Sequence, residues 1–141
     1  MSTTILVAVS DSPAAFTAAE AALEHAARLG ARVRAVSVLP EGGPDKRLKD
    51  YDARAPRREA DVAVVLRHVT AMGEAAGVVV TGVRRRGRVA AEILAEAREC
   101  GADMIVMARV DRPGHAIPTI GSHTLRVLEF TTVPVLVVPL A

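Results

Sequence analysis

The sequence predicts an open, doubly wound α/β domain, in which helices cover both faces of a five-stranded, mostly parallel sheet. Short, continuously apolar runs alternate with longer segments in which apolar residues recur every three or four positions. Continuous apolar runs are typical of strands buried on both faces. Strict alternation of strands and helices favours parallel strands joined by right-handed crossovers. The 141 residues show no internal linker, so we expect one domain over residues 1–141.

The first strand and helix are separated by a change of pattern at residue 12. Ile5–Val9 is continuously apolar and predicts a buried strand. Ser12 can cap the following helix with its hydroxyl, and Pro13 suits the first helical position, where a missing N–H is harmless. The helix is predicted to run to about Leu29, because Gly30 suits the left-handed conformation that follows many helices.

The second strand and helix are separated by the strongest break in composition. Val33–Val38 predicts the strand, and Arg57–Ala76 predicts the helix. Between them, residues 41–56 are polar and charged with few apolar anchors, so we expect an exposed, flexible loop there.

The remaining elements continue the alternation. They are the third strand at Val78–Val83, the third helix at Ala90–Cys100, the fourth strand at Met104–Ala108, the fourth helix at Ser122–Phe130 and the fifth strand at Val133–Val138. The connection from the fourth strand to the fourth helix is long for this class of fold, which indicates a functional role.

Composition and charge exclude several classes of function. A net charge of +2 and an aromatic content of 2% provide neither a general attractive field nor stacking surfaces for nucleic acid. No apolar run approaches the ~18 residues of a membrane span, and the first residues do not resemble an export signal. We therefore expect a cytoplasmic protein without nucleic-acid or membrane partners.

The common catalytic and metal-binding patterns of α/β proteins are missing. Neither a dinucleotide glycine motif nor a Walker lysine motif is present. The four histidines lack metal-ligand spacing, and the single cysteine, Cys100, is typical of small core filler. Ser12 is not part of a nucleophile elbow, so a helix cap is the better interpretation. We expect no catalytic residues, no metal site and no cofactor.

A candidate ligand site lies at the carboxyl ends of the first and fourth strands. Ligands of doubly wound sheets bind where the winding direction reverses, at this edge of the sheet. The loop after the first strand contains Ser10, Asp11 and Ser12. Asp11 can bond a ligand or the start of its own helix, and the sequence does not distinguish the two.

The loop before the fourth helix contains the other candidate ligand-binding residues. Gly121 opens that helix, whose free N–H groups favour an anion. Hydroxyl or imidazole groups follow from Ser122, His123 and Thr124, and the loop itself offers the cations of Arg109 and Arg112. The alternative is that Ser122 merely caps the helix and that the arginines are solvated.

A run of arginines follows the predicted third strand. Arg84, Arg85, Arg86 and Arg88 occupy four of five consecutive positions. Such a run can bind a phosphate or an acidic partner. A solvated turn is the more common explanation, and we favour it.

Five segments resemble the universal stress protein family in their order and spacing. They are Ile5–Ser12, Gly87–Ile93, Ala102–Met107, Gly121–Leu128 and Pro134–Val138, which together extend the resemblance over essentially the whole chain. The first is similar to the family's opening I-L-V-A-V-D-G-S. The resemblance implies a sheet with strand order 3-2-1-4-5 and a homodimer.

The resemblance also implies, in the ATP-binding branch of the family, a phosphate loop of the form G-x-x-G-x(9)-G-[ST]. Its last two positions match Gly121 and Ser122, but its first two fall on Ala108 and Asp111. The methyl group of Ala108 obstructs a close backbone approach. The carboxylate of Asp111 would repel a triphosphate, at a cost of about 1 kcal/mol or more.

Other positions of the family's nucleotide site agree only in part with this sequence. The family's early aspartate falls on Ser10, although Asp11 follows, whereas the backbone of Val38 and the hydroxyl of Thr124 match. The resemblance therefore implies a nucleotide site that has degenerated.

The fifth strand supports the dimer on physical grounds. It is apolar throughout and is expected at an edge of the sheet, where a bare strand promotes aggregation. Pairing of two such strands across a two-fold axis would cover this edge. The candidate interface residues are Val133, Val135, Leu136, Val137 and Val138.

Three hypotheses for the function remain. The first and preferred one is a dimeric, non-enzymatic stress-response protein that binds an unidentified protein partner. The second is an ATP-binding switch, with magnesium, that uses the loop from residue 108 to residue 124. The third is binding of a smaller anionic metabolite in the same cleft.

Overall fold

The structure is a computed structural model and describes residues 2–40, 49–109 and 120–139, with side chains from residue 59 onward in the second range. Its strands are β1 Thr4–Ala8, β2 Arg32–Pro40, β3 Val80–Gly87, β4 Met104–Ala108 and β5 Val135–Val138. Its helices are α1 Pro13–Leu29, α2 Lys49–Ala76, α3 Val89–Cys100 and α4 Ser122–Phe130. The strands pair in the order β3-β2-β1-β4-β5, and each pair is parallel. The predicted fold class and strand order are confirmed.

Two apolar cores lie on the two faces of the sheet. Alternation along β1 directs Ile5 and Val7 into one core and Leu6 into the other. The first core is closed by α1 and α2, and the second by α3 and α4. Among the described residues, no helix has the length and apolar character needed to cross a membrane.

The ends of α1 follow the sequence prediction in the backbone but not in the side chain of Ser12. Gly30 ends the helix in the left-handed conformation, at φ 65°. Ser12 occupies the N-cap position, yet its hydroxyl makes no capping bond and lies 3.2 Å from the Ser10 hydroxyl instead. The N–H of Ala15 bonds to the Ser12 carbonyl at 3.1 Å, so the helix start is stabilised without the hydroxyl.

The second helix begins earlier than the sequence predicts. It starts at Lys49, so the expected loop over residues 41–56 is wrong for positions 49–56. Residues 41–48 lie outside the described ranges. The polarity of this segment and Pro56 favour a loop in the sequence, but lysine, arginine and alanine are also good helix formers. A proline costs a helix one backbone hydrogen bond and does not always end it.

The third strand is displaced toward the arginine run. It spans Val80–Gly87 rather than Val78–Val83, and Arg84–Gly87 pair with Ser37–Pro40 of β2. The expected solvated turn at these arginines is therefore wrong. An edge strand needs apolar side chains at fewer positions than a central strand does. The polar end of β3 therefore lacks the apolar pattern from which strands are predicted.

Candidate ligand-binding cleft

A cleft opens at the carboxyl ends of β1, β2 and β4, where the start of α4 faces the sheet. Its volume is about 220 Å³. It is lined by Ala8, Val9, Ser10, Val36, Val38, Pro40, Val89, Ile93, Met107, Ala108 and His123. The structure thus brings four sequence candidates together around one space: Ser10, Val38, Ala108 and His123. The walls are mainly apolar because the strands that end here are buried on both faces.

Backbone hydrogen bonds hold the start of α4 against the end of β4. The N–H of Arg109 donates to the carbonyl of Val138 at 2.8 Å, and the N–H of Gly121 donates to the carbonyl of Arg109 at 2.7 Å. The hydroxyl of Thr124 donates to the carbonyl of Ala108 at 2.9 Å. Because Thr124 is buried and its proton is already used, it builds this junction rather than offering a donor to an anion.

The first turn of α4 is open toward solvent. The N-cap residue is Gly121, which has no side chain with which to cap the helix. The side chains of Ser122 and His123 are exposed, and the first helical bond runs from the N–H of Leu125 to the carbonyl of Gly121. The backbone N–H groups before that bond form a positive helix end, which suits an anion.

The remaining candidates take different positions. Asp11 is exposed and does not line the cleft, and Ser12 is half-buried beside Ser10. Arg109 is half-buried, and its Nε atom is buried without a hydrogen-bond partner among the described residues. The other two candidates of the loop, Asp111 and Arg112, lie outside the described residues.

Two of the arginines predicted to lie in a turn are used inside the molecule. Arg85 donates to Glu92 at 2.8 Å, to Glu96 at 2.9 Å and to Glu99 at 2.5 Å. The hydrogen bonds that Arg85 donates to these carboxylates, first of all the one to Glu92, hold the pKa of its guanidinium above the ordinary value. Buried Glu96 also accepts a bond of 2.6 Å from Arg34 of β2.

Arg86, the next residue of β3, is also paired. The network of Arg85 with the carboxylates of α3 has a signal in the sequence. Arg86 forms an ion pair with Glu59 of α2. Glu92, Glu96 and Glu99 recur at helical spacing on one face of α3, which is the pattern of a helix that packs on basic residues. Sequence reasoning missed it because β3 was placed too early in the chain.

A second, larger groove adjoins the cleft. It has a volume of about 680 Å³ and runs between α3 and α4. Pro40, Val89 and His123 line both spaces. Arg88 of the arginine run also lines this groove. Sequence reasoning did not single out the other two arginines of its lining, Arg98 and Arg126, because each is a lone arginine in a helix.

Neither a metal site nor an activated thiol is found in the described part of the chain. Within residues 2–40, 49–109 and 120–139, no three histidine, cysteine or acidic residues cluster in a way that could hold a metal. Cys100 is half-buried and donates weakly to the carbonyl of Ala97 at 3.9 Å. Burial, followed by the charge of Glu96, raises the pKa of the Cys100 thiol, which disfavours the reactive thiolate.

The family model described as "Universal stress protein family" matches residues 1–139. The chain belongs to that family. The predicted membership is confirmed, and the cleft of this universal stress protein lies where the doubly wound sheet reverses direction.

Solved universal stress proteins share this fold. One from Burkholderia pseudomallei is 31% identical, with a TM-score of 0.74, coverage of 98% of this chain and 96% of that chain. One from Archaeoglobus fulgidus, solved in complex with dAMP, is 25% identical, with a TM-score of 0.71 and 96% coverage of both chains. Another, in complex with cAMP, is 21% identical, with a TM-score of 0.74, coverage of 98% of this chain and 97% of that chain. No curated protein matches this chain in sequence.

Proposed function

We propose that this universal stress protein is a dimeric, non-enzymatic cytoplasmic protein of the stress response that acts by binding a protein partner. The observation that carries the proposal is the state of β5, the last strand of the sheet. All four residues of β5 are apolar and only half-buried, and no described strand pairs with its outer side. Such an edge favours association with a second strand.

Pairing of two β5 strands across a two-fold axis would cover both edges at once. Within one protomer, Val133 and Val135 contact the core under α3 and α4, whereas Leu136 and Val138 contact the core under α1 and α2. Val137 belongs to neither core. A change at Val137 therefore tests the edge with the least damage to the protomer.

The test of the dimer is a charge placed on this edge. We expect Val137→Lys to shift the protein from twice the protomer mass to the protomer mass in sedimentation velocity, because paired lysines across the axis repel and resist burial. Val79→Lys is the matched control, since Val79 is 66% exposed and precedes the opposite edge strand, β3. A Val137→Lys protein that remains dimeric, with an unchanged melting temperature, would contradict the proposal.

The end of β4 supports the degenerate nucleotide site of this proposal. Ala108 replaces the first glycine of the ATP-binding pattern and is buried at the end of β4, with its carbonyl bonded to Thr124. A methyl group at this position is a mild change, but it restricts the close backbone approach that the glycine of the pattern allows. Together with the carboxylate of Asp111, this argues against tight binding of a triphosphate.

A second candidate function is binding of a smaller anionic ligand, such as an adenine nucleotide with one phosphate. The observation that favours it is the apolar cleft of about 220 Å³, which ends beside His123 at the open start of α4. The relative from Archaeoglobus fulgidus solved with dAMP supports this ligand class. ATP with magnesium remains the alternative ligand.

Thermal unfolding with added ligands tests the second candidate. We expect millimolar AMP to raise the melting temperature of the protein more than Mg-ATP or inorganic phosphate does, because a ligand that binds only the folded state stabilises it. An unchanged melting temperature with AMP would contradict this candidate, and partner binding would then remain as the proposed function.

A further inference from the structure

The groove between α3 and α4 carries positive charge along its whole length. Its lining includes residues from the first to the last turn of both helices: Gly87, Arg88, Val89, Ala90, Ala91, Leu94 and Arg98 on the side of α3, and Ser122, His123, Arg126 and Phe130 on α4. Pro40 completes it. None of the described residues that line the groove carries a carboxylate.

The three arginines of this groove differ from the other arginines near them. Among the described residues, no hydrogen bond or ion pair engages the side chains of Arg88, Arg98 or Arg126, whereas the guanidinium groups of Arg34 and Arg85 are held by carboxylates of α3. Their guanidinium groups are exposed and available to an external partner. Guanidinium groups bind carboxylates in paired hydrogen bonds, which makes them suited to acidic partners.

The two faces of α3 explain why this positive charge is not neutralised. Its acidic residues, Glu92, Glu96 and Glu99, face the sheet at β3 and are paired there. Leu94 and Arg98, on the other face, line the groove. Because ion pairs with Arg34 and Arg85 hold these carboxylates, the acids of α3 cannot turn toward the groove without breaking that network.

The spacing of the arginines indicates the shape of the ligand. Arg88 and Arg98 are ten positions apart, which corresponds to about 15 Å along a helix. A single phosphate cannot contact both, whereas an extended peptide covers that distance with about five residues. Between them, the groove offers apolar surface, including Leu94 and Phe130, which is 59% exposed.

We propose that this groove binds an extended, acidic segment of a partner protein, with carboxylates on Arg88, Arg98 and Arg126 and apolar side chains on Leu94 and Phe130. The inference names the chemistry of the partner and so rests on the proposed partner-binding function. It follows from charge complementarity and from an apolar floor that a purely polar ligand would leave unused.

Fluorescence anisotropy with the full chain tests the proposal. The probe is a short labelled peptide of alternating glutamate and leucine, and its matched controls carry glutamine or lysine in place of glutamate. We expect the glutamate peptide to bind at least about tenfold more tightly than either control, and more weakly as salt is added. Equal binding of the glutamine peptide would overturn the proposal.

The variants separate this groove from general positive charge. We expect the double variant Arg98→Glu with Arg126→Glu to lose at least about tenfold in affinity for the glutamate peptide. The double variant Arg67→Glu with Arg84→Glu is the matched control, because it changes the net charge by the same amount and both side chains are exposed with no partner among the described residues. We expect its affinity to stay within about twofold of the unchanged protein. Equal losses in both proteins would overturn the proposal.

Two further measurements distinguish a failure of the groove proposal from a failure of the proposed function. A single-stranded oligonucleotide that binds more tightly than the glutamate peptide would overturn the proposal in favour of a nucleic-acid site. Sedimentation of the same samples reports the dimer independently. A dimeric protein that does not bind the peptide would contradict only the groove proposal. A monomeric protein that binds the peptide would support the groove proposal and contradict the proposed dimer.

Discussion

Thr124 and Ala108 show how single residues shape the cleft. The buried hydroxyl of Thr124 donates to the carbonyl of Ala108 at 2.9 Å and so joins the first turn of α4 to the last residue of β4. The sequence marks Thr124 as a possible anion donor. Only the structure shows that its proton is used within the protein, because the distance from residue 108 to residue 124 is set by the fold.

Replacement of this hydroxyl tests the junction. We expect Thr124→Val, which keeps the shape of the side chain, to lower the free energy of unfolding by about 1.5 kcal/mol, because the buried Ala108 carbonyl loses its partner. Urea denaturation monitored by circular dichroism measures the change. Ser122→Ala is the control, since Ser122 is exposed on the same helix, and its effect should stay within about 0.5 kcal/mol. Equal effects of the two changes would contradict this role of Thr124.

At the scale of secondary structure, α3 and β3 are joined by charge rather than by apolar contact alone. Arg85 lies in β3 and holds three carboxylates of α3, of which Glu96 is buried. Removal of a partner from a buried charge is costly because that charge stays out of water. The network also fixes which face of α3 turns toward solvent.

Neighbouring arginines of β3 provide a matched test of that network. We expect Arg85→Met to lower the free energy of unfolding by about 2 kcal/mol, less than for a fully buried pair, because the Arg85 side chain is 21% exposed and Glu96 retains Arg34. Arg84→Met, at an exposed position whose side chain has no partner among the described residues, should change it by less than about 0.5 kcal/mol. Thermal and urea unfolding of both proteins provide the comparison, and similar losses would argue against the network.

The success of the element predictions follows the strength of the local signal. The bounds of β4 and α4 agree with the prediction, and those of α3 differ by one residue at its start. Gly101, in the left-handed conformation, ends α3 as expected. The largest errors fall on polar segments, at Lys49 and at the end of β3, where hydrophobic periodicity carries no information. Smaller errors fall on apolar residues, since β3 begins at Val80 rather than Val78 and β5 at Val135 rather than Val133, because an apolar run does not show where strand pairing begins.

At the scale of the whole molecule, the order of the strands determines which loops meet. Because β1 and β4 are neighbours in the sheet, Ser10 and Ala108 line the same cleft although they are far apart in the chain. The start of α4 joins them through the bonds of Arg109 and Gly121. The lining of the cleft therefore depends on segments that are distant in the chain.

Calorimetric titration with Mg-ATP tests the degenerate site. We expect no binding by the unchanged protein at micromolar concentrations, and measurable binding by Asp111→Gly if the carboxylate alone closes the site, because removal of like charge favours the triphosphate. Ser122→Ala in the Asp111→Gly background serves as the control for binding at the start of α4. Micromolar binding by the unchanged protein would instead favour the ATP-binding switch.

The sequence by itself determined the class of fold, the number of strands, their alternation with helices and the membership of the universal stress protein family. These depend on local patterns of apolar residues and on short motifs that survive substitution elsewhere. Only the tertiary structure decided that the Arg85 side chain is paired, whereas that of Arg98 has no partner in the described part of the chain, and that Thr124 bonds to Ala108. Whether a polar side chain is used or available depends on neighbours that are distant in the chain, and folding alone brings those neighbours together.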